Sequence, residues 1–353
     1  MSRLRSRPVI IAAVVAVILV IAVGAVALGG GGDDDDEEAS DTTTTRKEVT
    51  TTTGPQLLAP LTGLNDPTGT SAGRGALAVK IDNVALSARP PQAGLDVADV
   101  VYEEPVEGSA TRFLAVFHST LPERIGPVRS TRFLDPGIVW NLGGLYVYSG
   151  GTPPKVAAIR SAPIQTVDEN GLLNADARER DPNFEAPHNL FVHPEALWAW
   201  DQVEDRNPPA PLFDFLEEGE EFTGDPASAV DVPTKSDARY TWDAANGNWK
   251  REAVIRSGGP EPHIAESGNQ IAPTNIIVQS IPAIQDNESD KDLLVGEGDA
   301  VICSQGQCVQ GRWERGTLEE RTEFVDANGA PIRLTPGTTW VHFVTGEAPV
   351  ITP

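Results

Sequence analysis

Apolar and polar positions divide this 353-residue chain into three stretches. Val9 to Leu28 contains no charged, amide or hydroxyl side chain, and a helix rising about 1.5 Å per residue would carry that run across roughly 30 Å, the thickness of a bilayer's hydrocarbon core. Residues 29–56 are tracts of glycine, aspartate, glutamate and threonine, with too little apolar surface to offset the entropy of ordering, and they read as a flexible spacer. From Leu57 onward, short apolar runs are separated by turn formers, which predicts a folded part of two domains.

In the first domain, 57–216, Ala76–Ile81, Asp99–Glu103, Thr111–Phe117 and Leu145–Ser149 read as strands. Arg129–Leu142, Lys155–Ser161 and Pro194–Trp200 read as helices, so the domain is expected to be mixed α/β. Turn formers and acids crowd between Asp201 and Pro226 and mark a break. In the second domain, 217–353, Asn246-Gly247 and Asn328-Gly329 read as hairpin turns between short strands, and a mostly antiparallel β domain is expected.

Charge adds orientation. Arg3, Arg5 and Arg7 precede the apolar run, and Asp33–Asp36 with Glu37 and Glu38 follow it, which leaves residues 1–8 in the cytoplasm and exports the rest. The span length favours a single-pass anchor at 9–28 over a signal peptide, although Ala25-Val26-Ala27 offers a site at which cleavage after Ala27 would release the protein. A formal net charge of −24 argues against nucleic acid as a partner. Cys303 and Cys308, separated by four residues in VICSQGQCVQ and exported, are expected to form a disulfide across a hairpin. As a lone pair they supply only two of the four ligands zinc prefers.

Several motifs fail on inspection. Gly69-Thr70-Ser71-Ala72-Gly73 spells G-x-S-x-G, yet a turn precedes the serine and a strand pattern follows, the reverse of a nucleophile elbow. His188 and His193 are five apart rather than four, which puts them on different helical faces, and His193 before Pro194 suits a helix start. Asp286, Glu288, Asp290 and Glu297 imitate a calcium loop, but Lys291 stands where the loop needs glycine, so a solvated acidic loop is expected and no metal site. No cofactor is legible.

One constellation remains. Between Arg112 and Arg132 there are four arginines against one acid, Glu123. If the chain is helical from Val128, Arg129 and Arg132 share a face near Gly126-Pro127, a combination suited to carboxylates or phosphates. Glu103, Glu104 and Glu107 lie just before it, so the cluster reads either as a buried Arg–Glu packing network or as a polar pocket with carboxylates able to do acid–base work.

The chain also resembles the YerB-like family of exported bacterial proteins, a domain of unknown function with N- and C-terminal parts. The resemblance is carried by PLTG (60–63), VKIDN (79–83), ARPPQAGLDVADVVYEEPVEGSATRF (88–113), GPVRSTR (126–132), SGG (149–151) and APHNLF (186–191), and more loosely by RYTWDAANGNWKRE, TNIIVQ and PGTTWV. Members are commonly lipoproteins. This chain lacks the lipid-bearing cysteine, whose place a spanning helix would take.

The resemblance implies no established activity, but its motifs are rich in residue types that sites use more than cores do: Asp82, Asn83, Arg89, Glu103, Glu107, Arg112, Arg129, Arg132, His188 and Asn189. Three readings follow. In the first, an envelope protein binds an anionic cell-wall or glycan ligand through Arg112, Arg129 and Arg132, with Asn83, Arg89, Glu103 and Asn189 alongside. In the second, an extracytoplasmic hydrolase uses Glu107 or Asp82 as base and His188 as acid. In the third, the protein is a non-catalytic envelope scaffold. Both pocket readings require their residues to converge on one cleft.

Overall fold

The alternation of apolar residues sets the strands, and a computed structural model describes them for residues 57–84, 90–108, 110–234, 238–255 and 259–353. The apolar run at 9–28, the spacer and Arg89 lie outside the described residues. Among the described residues, no helix is long and apolar enough to cross a membrane.

The N-terminal part runs β1 (Leu77–Asn83), β2 (Val100–Pro105), β3 (Thr111–Phe117), α1 (Asp135–Val139), β4 (Leu145–Val147), α2 (Pro153–Arg160), β5 (Gln165–Val167), α3 (Glu169–Asn174), β6 (Arg178–Arg180), β7 (Leu190–Val192) and α4 (Pro194–Ala199). No helix or strand lies between Ala199 and Asp225, the stretch crowded with turn formers. The C-terminal part is strands: β8 (Asp225–Pro226), β9 (Ala229–Val232), β10 (Ala238–Asp243), β11 (Asn248–Ile255), β12 (Gly259–Pro262), β13 (Asn275–Ser280), β14 (Gly296–Ser304), β15 (Gln307–Arg315), β16 (Glu323–Val325), β17 (Thr339–Val344) and β18 (Val350–Thr352). A 3₁₀ helix at Glu288–Leu294 interrupts them.

One sheet takes strands from both parts, in the order β16-β15-β14-β13-β17-β2-β3-β1-β4-β5, with β8 added against β15. The join is a parallel ladder in which β17 lies against β2 and His342 is the register partner of Glu103. A second sheet, β12-β11-β10-β9-β18, is antiparallel throughout. Cys303 and Cys308 are register partners in the β14–β15 hairpin and form a disulfide.

The central strands are buried on both faces, so their side chains divide by parity. Leu77, Val79, Ile81, Val101, Phe113 and Ala115 enter one apolar cluster, together with Val230, Tyr240 and Trp249 of the second sheet. Ala78, Val100, Leu114, Val116 and Tyr146 enter the other, with Ile138 and Val139 of α1. Gly144 permits the turn into β4, because a Cβ there would lie 2.1 Å from the Ala76 carbonyl oxygen.

The expected helix at 129–142 is a correction. Only Asp135–Val139 is α-helical, and Val128 upstream of it is bridged to β1 instead. Three amides of this stretch are used sideways: Val128 N–H donates to the Leu190 carbonyl at 2.6 Å, Arg129 N–H to the Lys80 carbonyl at 2.8 Å and Thr131 N–H to the Gly150 carbonyl at 2.9 Å, so these are not free for helical bonds. The segment extends the sheet along the far half of β1, with Ile81 bridged to Val128.

The acidic loop near 286–290 is likewise not wholly solvated. Asp290 is buried and closes a capping box with Asn287 at the start of the 3₁₀ helix.

Candidate functional site

Charged residues inside a sheet cost several kcal/mol each unless paired, so those in β1, β2 and β3 need an account. On the face of Ala78 and Leu114, register aligns Asp82 of β1, Arg112 of β3 and Glu104 of β2 in one row. Lys80 stands two residues back from Asp82 on the same face.

Asp82 is fully buried and faces three cations or potential cations. Arg112 Nη1 lies 3.4 Å from its Oδ1, and Arg129 Nε lies 3.4 Å from its Oδ2. His188, brought in by the loop before β7, places Nδ1 2.5 Å from Oδ2. The extended segment 127–129 explains Arg129, since it is held against β1 by the Arg129 N–H to Lys80 bond and by Asp82 N–H donating to the Pro127 carbonyl at 2.9 Å.

The cluster is under-satisfied. Asp82 Oδ1, Arg112 Nε and Arg129 Nε are buried with no hydrogen-bond partner among the described residues, and none of these residues hydrogen-bonds His188 Nε2. Burial holds the Arg112 guanidinium below its ordinary pKa, with Arg129 and Arg132 adding to the shift and Asp82 and Glu104 opposing it.

Beside it stands a fully paired group. Arg132 donates from Nε to Glu107 Oε2 at 2.8 Å, and its Nη1 is spent on the Ser130 and Thr131 carbonyls at 2.9 and 3.0 Å. Lys155 bridges Glu107 and Asp286, at 2.8 Å from the latter. Burial works to raise the Glu107 carboxyl, but the Lys155 hydrogen bond and the Arg132 charge outweigh it and hold the pKa at about 2. Glu107 is therefore an ionised anchor for two cations at neutral pH, a poor proton carrier.

The remaining candidates lie elsewhere. Asn189 spends its amide on structure: Nδ2 donates to the Asp181 and Phe184 carbonyls at 3.1 and 2.9 Å, and Oδ1 accepts from Arg180 at 2.7 Å. His193 is the residue before α4 but caps nothing; its ring contacts the Glu123 carbonyl at 3.1 Å and Glu179 at 2.9 Å. Ser71, in the G-x-S-x-G spelling, sits in a 3₁₀ turn and donates its hydroxyl to Asp66 at 2.7 Å. Among the described residues, no group of three or more His, Cys, Asp or Glu is placed to hold a metal ion.

Glu103 and Asn83 point to the opposite face. Glu103 is fully buried, accepts from Arg251 at 2.9 Å and from the Thr111 hydroxyl at 2.7 Å, and lies 3.2 Å from His342 Nδ1. Asn83 donates to the Thr111 hydroxyl at 2.7 Å. Arg251 continues to His263 Nδ1 at 2.6 Å, whose Nε2 reaches Gln92 at 2.9 Å. The Phe113 and Trp340 rings stand 5.4 and 5.1 Å from the Arg251 guanidinium carbon, within cation–π reach.

Residues not singled out from the sequence complete the first face. Lys80 bonds Glu104 and, at 2.6 Å, Asp135; both acids are fully buried. Asp135 also accepts from the Thr131 hydroxyl at 2.9 Å, the Arg132 N–H at 2.7 Å and the Tyr146 hydroxyl at 2.5 Å. The readable signal is Lys80 itself, a charge inside the run ALAVKI, where a strand buried on both faces should be apolar.

Comparison with known proteins agrees with the motif reading. Residues 61–208 match the family described as "Protein of unknown function (DUF3048) N-terminal domain", and 229–341 match its C-terminal domain. The chain is 28% identical over 301 residues to the Bacillus subtilis (strain 168) protein named "Putative lipoprotein YerB", covering 83% of this chain and 87% of that one. It also superposes on the crystal structure of YerB protein from Bacillus subtilis with a TM-score of 0.70 at 25% identity, covering 84% of this chain and all of that one. With both family regions present in order and the fold shared along most of its length, the chain belongs to the YerB-like DUF3048 family.

Proposed function

We propose that this is an extracytoplasmic envelope protein, tethered by its N-terminal apolar run, that binds an anionic group of a cell-wall or glycan ligand at Arg112 and Arg129, with His188 at the rim. The location rests on the charge asymmetry around residues 9–28 and on the printed name of the Bacillus relative.

The observation that carries the binding reading is the shortfall of partners at Asp82. Two guanidiniums share one carboxylate at 3.4 Å each, through Arg112 Nη1 and Arg129 Nε, and among the described residues Nε of neither has a hydrogen-bond partner. Guanidinium donors left over in this way suit the oxyanion of a phosphate or carboxylate. The cluster carries net positive charge in a chain of net charge −24, so it gives an anion a local destination. Arg132 takes a supporting part, because Glu107 and two carbonyls already occupy it.

The test is calorimetric titration of anionic and neutral wall fragments against wild type, Arg112→Gln and Arg129→Gln. Binding of the anionic fragments alone, weakened about tenfold or more by either substitution, is the expected result. Equal binding of neutral fragments, or unchanged affinity in both variants, would sink the assignment.

One contact favours a second reading. The Asp82–His188 hydrogen bond orients an imidazole with Nε2 outward, the relation of an orienting acid to a general base in hydrolases. On that reading Asp82 positions, His188 moves the proton and the arginines hold the developing oxyanion, while Glu107 takes no part. Turnover of wall fragments that survives His188→Ala would remove it.

A further inference from the structure

The inference rests on the anion site just proposed and concerns what sets its charge. In the row Asp82–Arg112–Glu104, Arg112 has a carboxyl on either side in register. If both were ionised, they would cancel its charge and much of that of Arg129. Whether Glu104 carries a proton therefore decides how strongly the row attracts an anion.

The surroundings of Glu104 answer that geometrically. It is fully buried on β2, one oxygen accepts from Lys80, and Oε2 has no partner among the described residues. The ionisable groups facing it are Lys80 from β1, Arg112 from β3, Arg132 from the segment before α1, Asp135 from α1 and Tyr146 from β4. Lys80 is shared with Asp135, and Asp135 receives three further donors, from Thr131, Arg132 and Tyr146. One ammonium cannot neutralise two buried carboxylates, and Glu104, with one donor against four at Asp135, is the acid whose charge is less supported.

We propose that Glu104 is the proton-holding residue of the anion site: the binding-competent state has Glu104 protonated, and capture of an oxyanion is linked to retention of that proton. A protonated Glu104 leaves Arg112 with a single counter-charge, Asp82, while an ionised Glu104 repels the incoming anion across the same guanidinium. Burial and the neighbouring Asp135 push the Glu104 carboxyl up to about 7 against the pull of Lys80, which puts the linkage near neutral pH. The sign follows. An anion nearby favours the neutral acid, so binding raises the pKa of Glu104, and affinity falls as pH rises through its value in the free protein.

The probe is sulfate, which does not itself titrate between about pH 6 and about pH 8.5, measured by calorimetry on the folded extracytoplasmic part with wild type, Glu104→Gln and His188→Gln. Wild-type affinity is expected to fall about threefold or more across that range. Glu104→Gln, which keeps an acceptor for Lys80 and presents an amide in place of the acid proton, should bind equally at both ends. The fall should persist in His188→Gln, which separates it from imidazole titration.

A wild-type profile that is flat, an unaltered slope in Glu104→Gln, or a slope lost only in His188→Gln overturns the inference and leaves the anion site standing. No sulfate binding at any pH overturns the site and the inference together. Carbon-13 carboxyl NMR gives a reading independent of the variants: a Glu104 midpoint below about 5 in the free protein excludes the linkage.

Discussion

Glu103 and Glu104 are neighbours in sequence, equally buried, and opposite in circumstance. Glu103 sits in a closed box of Arg251, Thr111, His342 and aromatic rings, where its partners, Arg251 above all, outweigh the cost of burial and hold its pKa at about 2. Glu104 shares one lysine with a better-bonded acid and keeps an oxygen with no partner among the described residues. The first network takes Arg251 from β11, His342 from β17 and Glu103 from β2, joining strands far apart in sequence. It serves architecture, because its charges are paired with one another at 2.9 to 3.2 Å inside the fold, although Arg251 Nε and His342 Nδ1 have no hydrogen-bond partner among the described residues. In the second, two guanidiniums reach one carboxylate only at 3.4 Å each, a looser pairing than architecture alone requires.

The largest expected effect breaks the closed network. Arg251→Ala removes the cation from a fully buried carboxylate and should cost about 3–5 kcal/mol in urea unfolding. A loss under about 1 kcal/mol would mean that the box is not what joins the two parts.

Next comes acid. Folding depresses Glu103 from 4.5 to about 2, so its contribution is present above about pH 4.5 and is lost as pH falls toward about 2. At 1.36 kcal/mol per unit that amounts to about 3 kcal/mol. The melting-temperature gap between wild type and Glu103→Gln should therefore narrow over that window. A constant gap would show that the pairing does not depend on the charge of Glu103.

On the other face, Arg129→Gln should lower stability by only about 1 kcal/mol, since its contact with Asp82 is long and lacks hydrogen-bond geometry, while abolishing most anion binding. If instead it destabilises as much as Arg251→Ala with binding intact, the two faces do not differ in kind and the open cluster is packing.

Much of the strand pattern was legible, and the reason the rest was not is physical. Thr111–Phe117 could be read directly, because the unbroken apolar run from Phe113 to Phe117, between turn formers, admits little else. The segment 128–134 read as helix because two arginines three apart fit a helical face, but its amides pair with Lys80 and Leu190, contacts that no local pattern announces. Grouping Glu103 with the arginines ignored strand parity, which sends adjacent residues to opposite faces. Asp82 and His188 meet across 106 positions, so periodicity brought neither to the other; only residue type and family motif placed both among the candidates.

The smallest effect tests whether position along the join or burial decides the energy. Arg124 also links the two parts, pairing Glu266 of the C-terminal part and Glu179 of the N-terminal part. It packs over the Phe191 ring at 4.3 Å, and its guanidinium pKa is raised, first by the Glu266 hydrogen bond. It pairs two acids where Arg251 pairs one, but its side chain and both acids are open to water, where solvent and salt screen the charges. Arg124→Ala should therefore cost about 0.5 kcal/mol, and less at about 1 M salt, against a much larger and salt-insensitive loss for Arg251→Ala. Equal losses would mean that desolvation adds nothing to the join, and the contrast between Glu103 and Glu104 would then have to be explained by partner number alone.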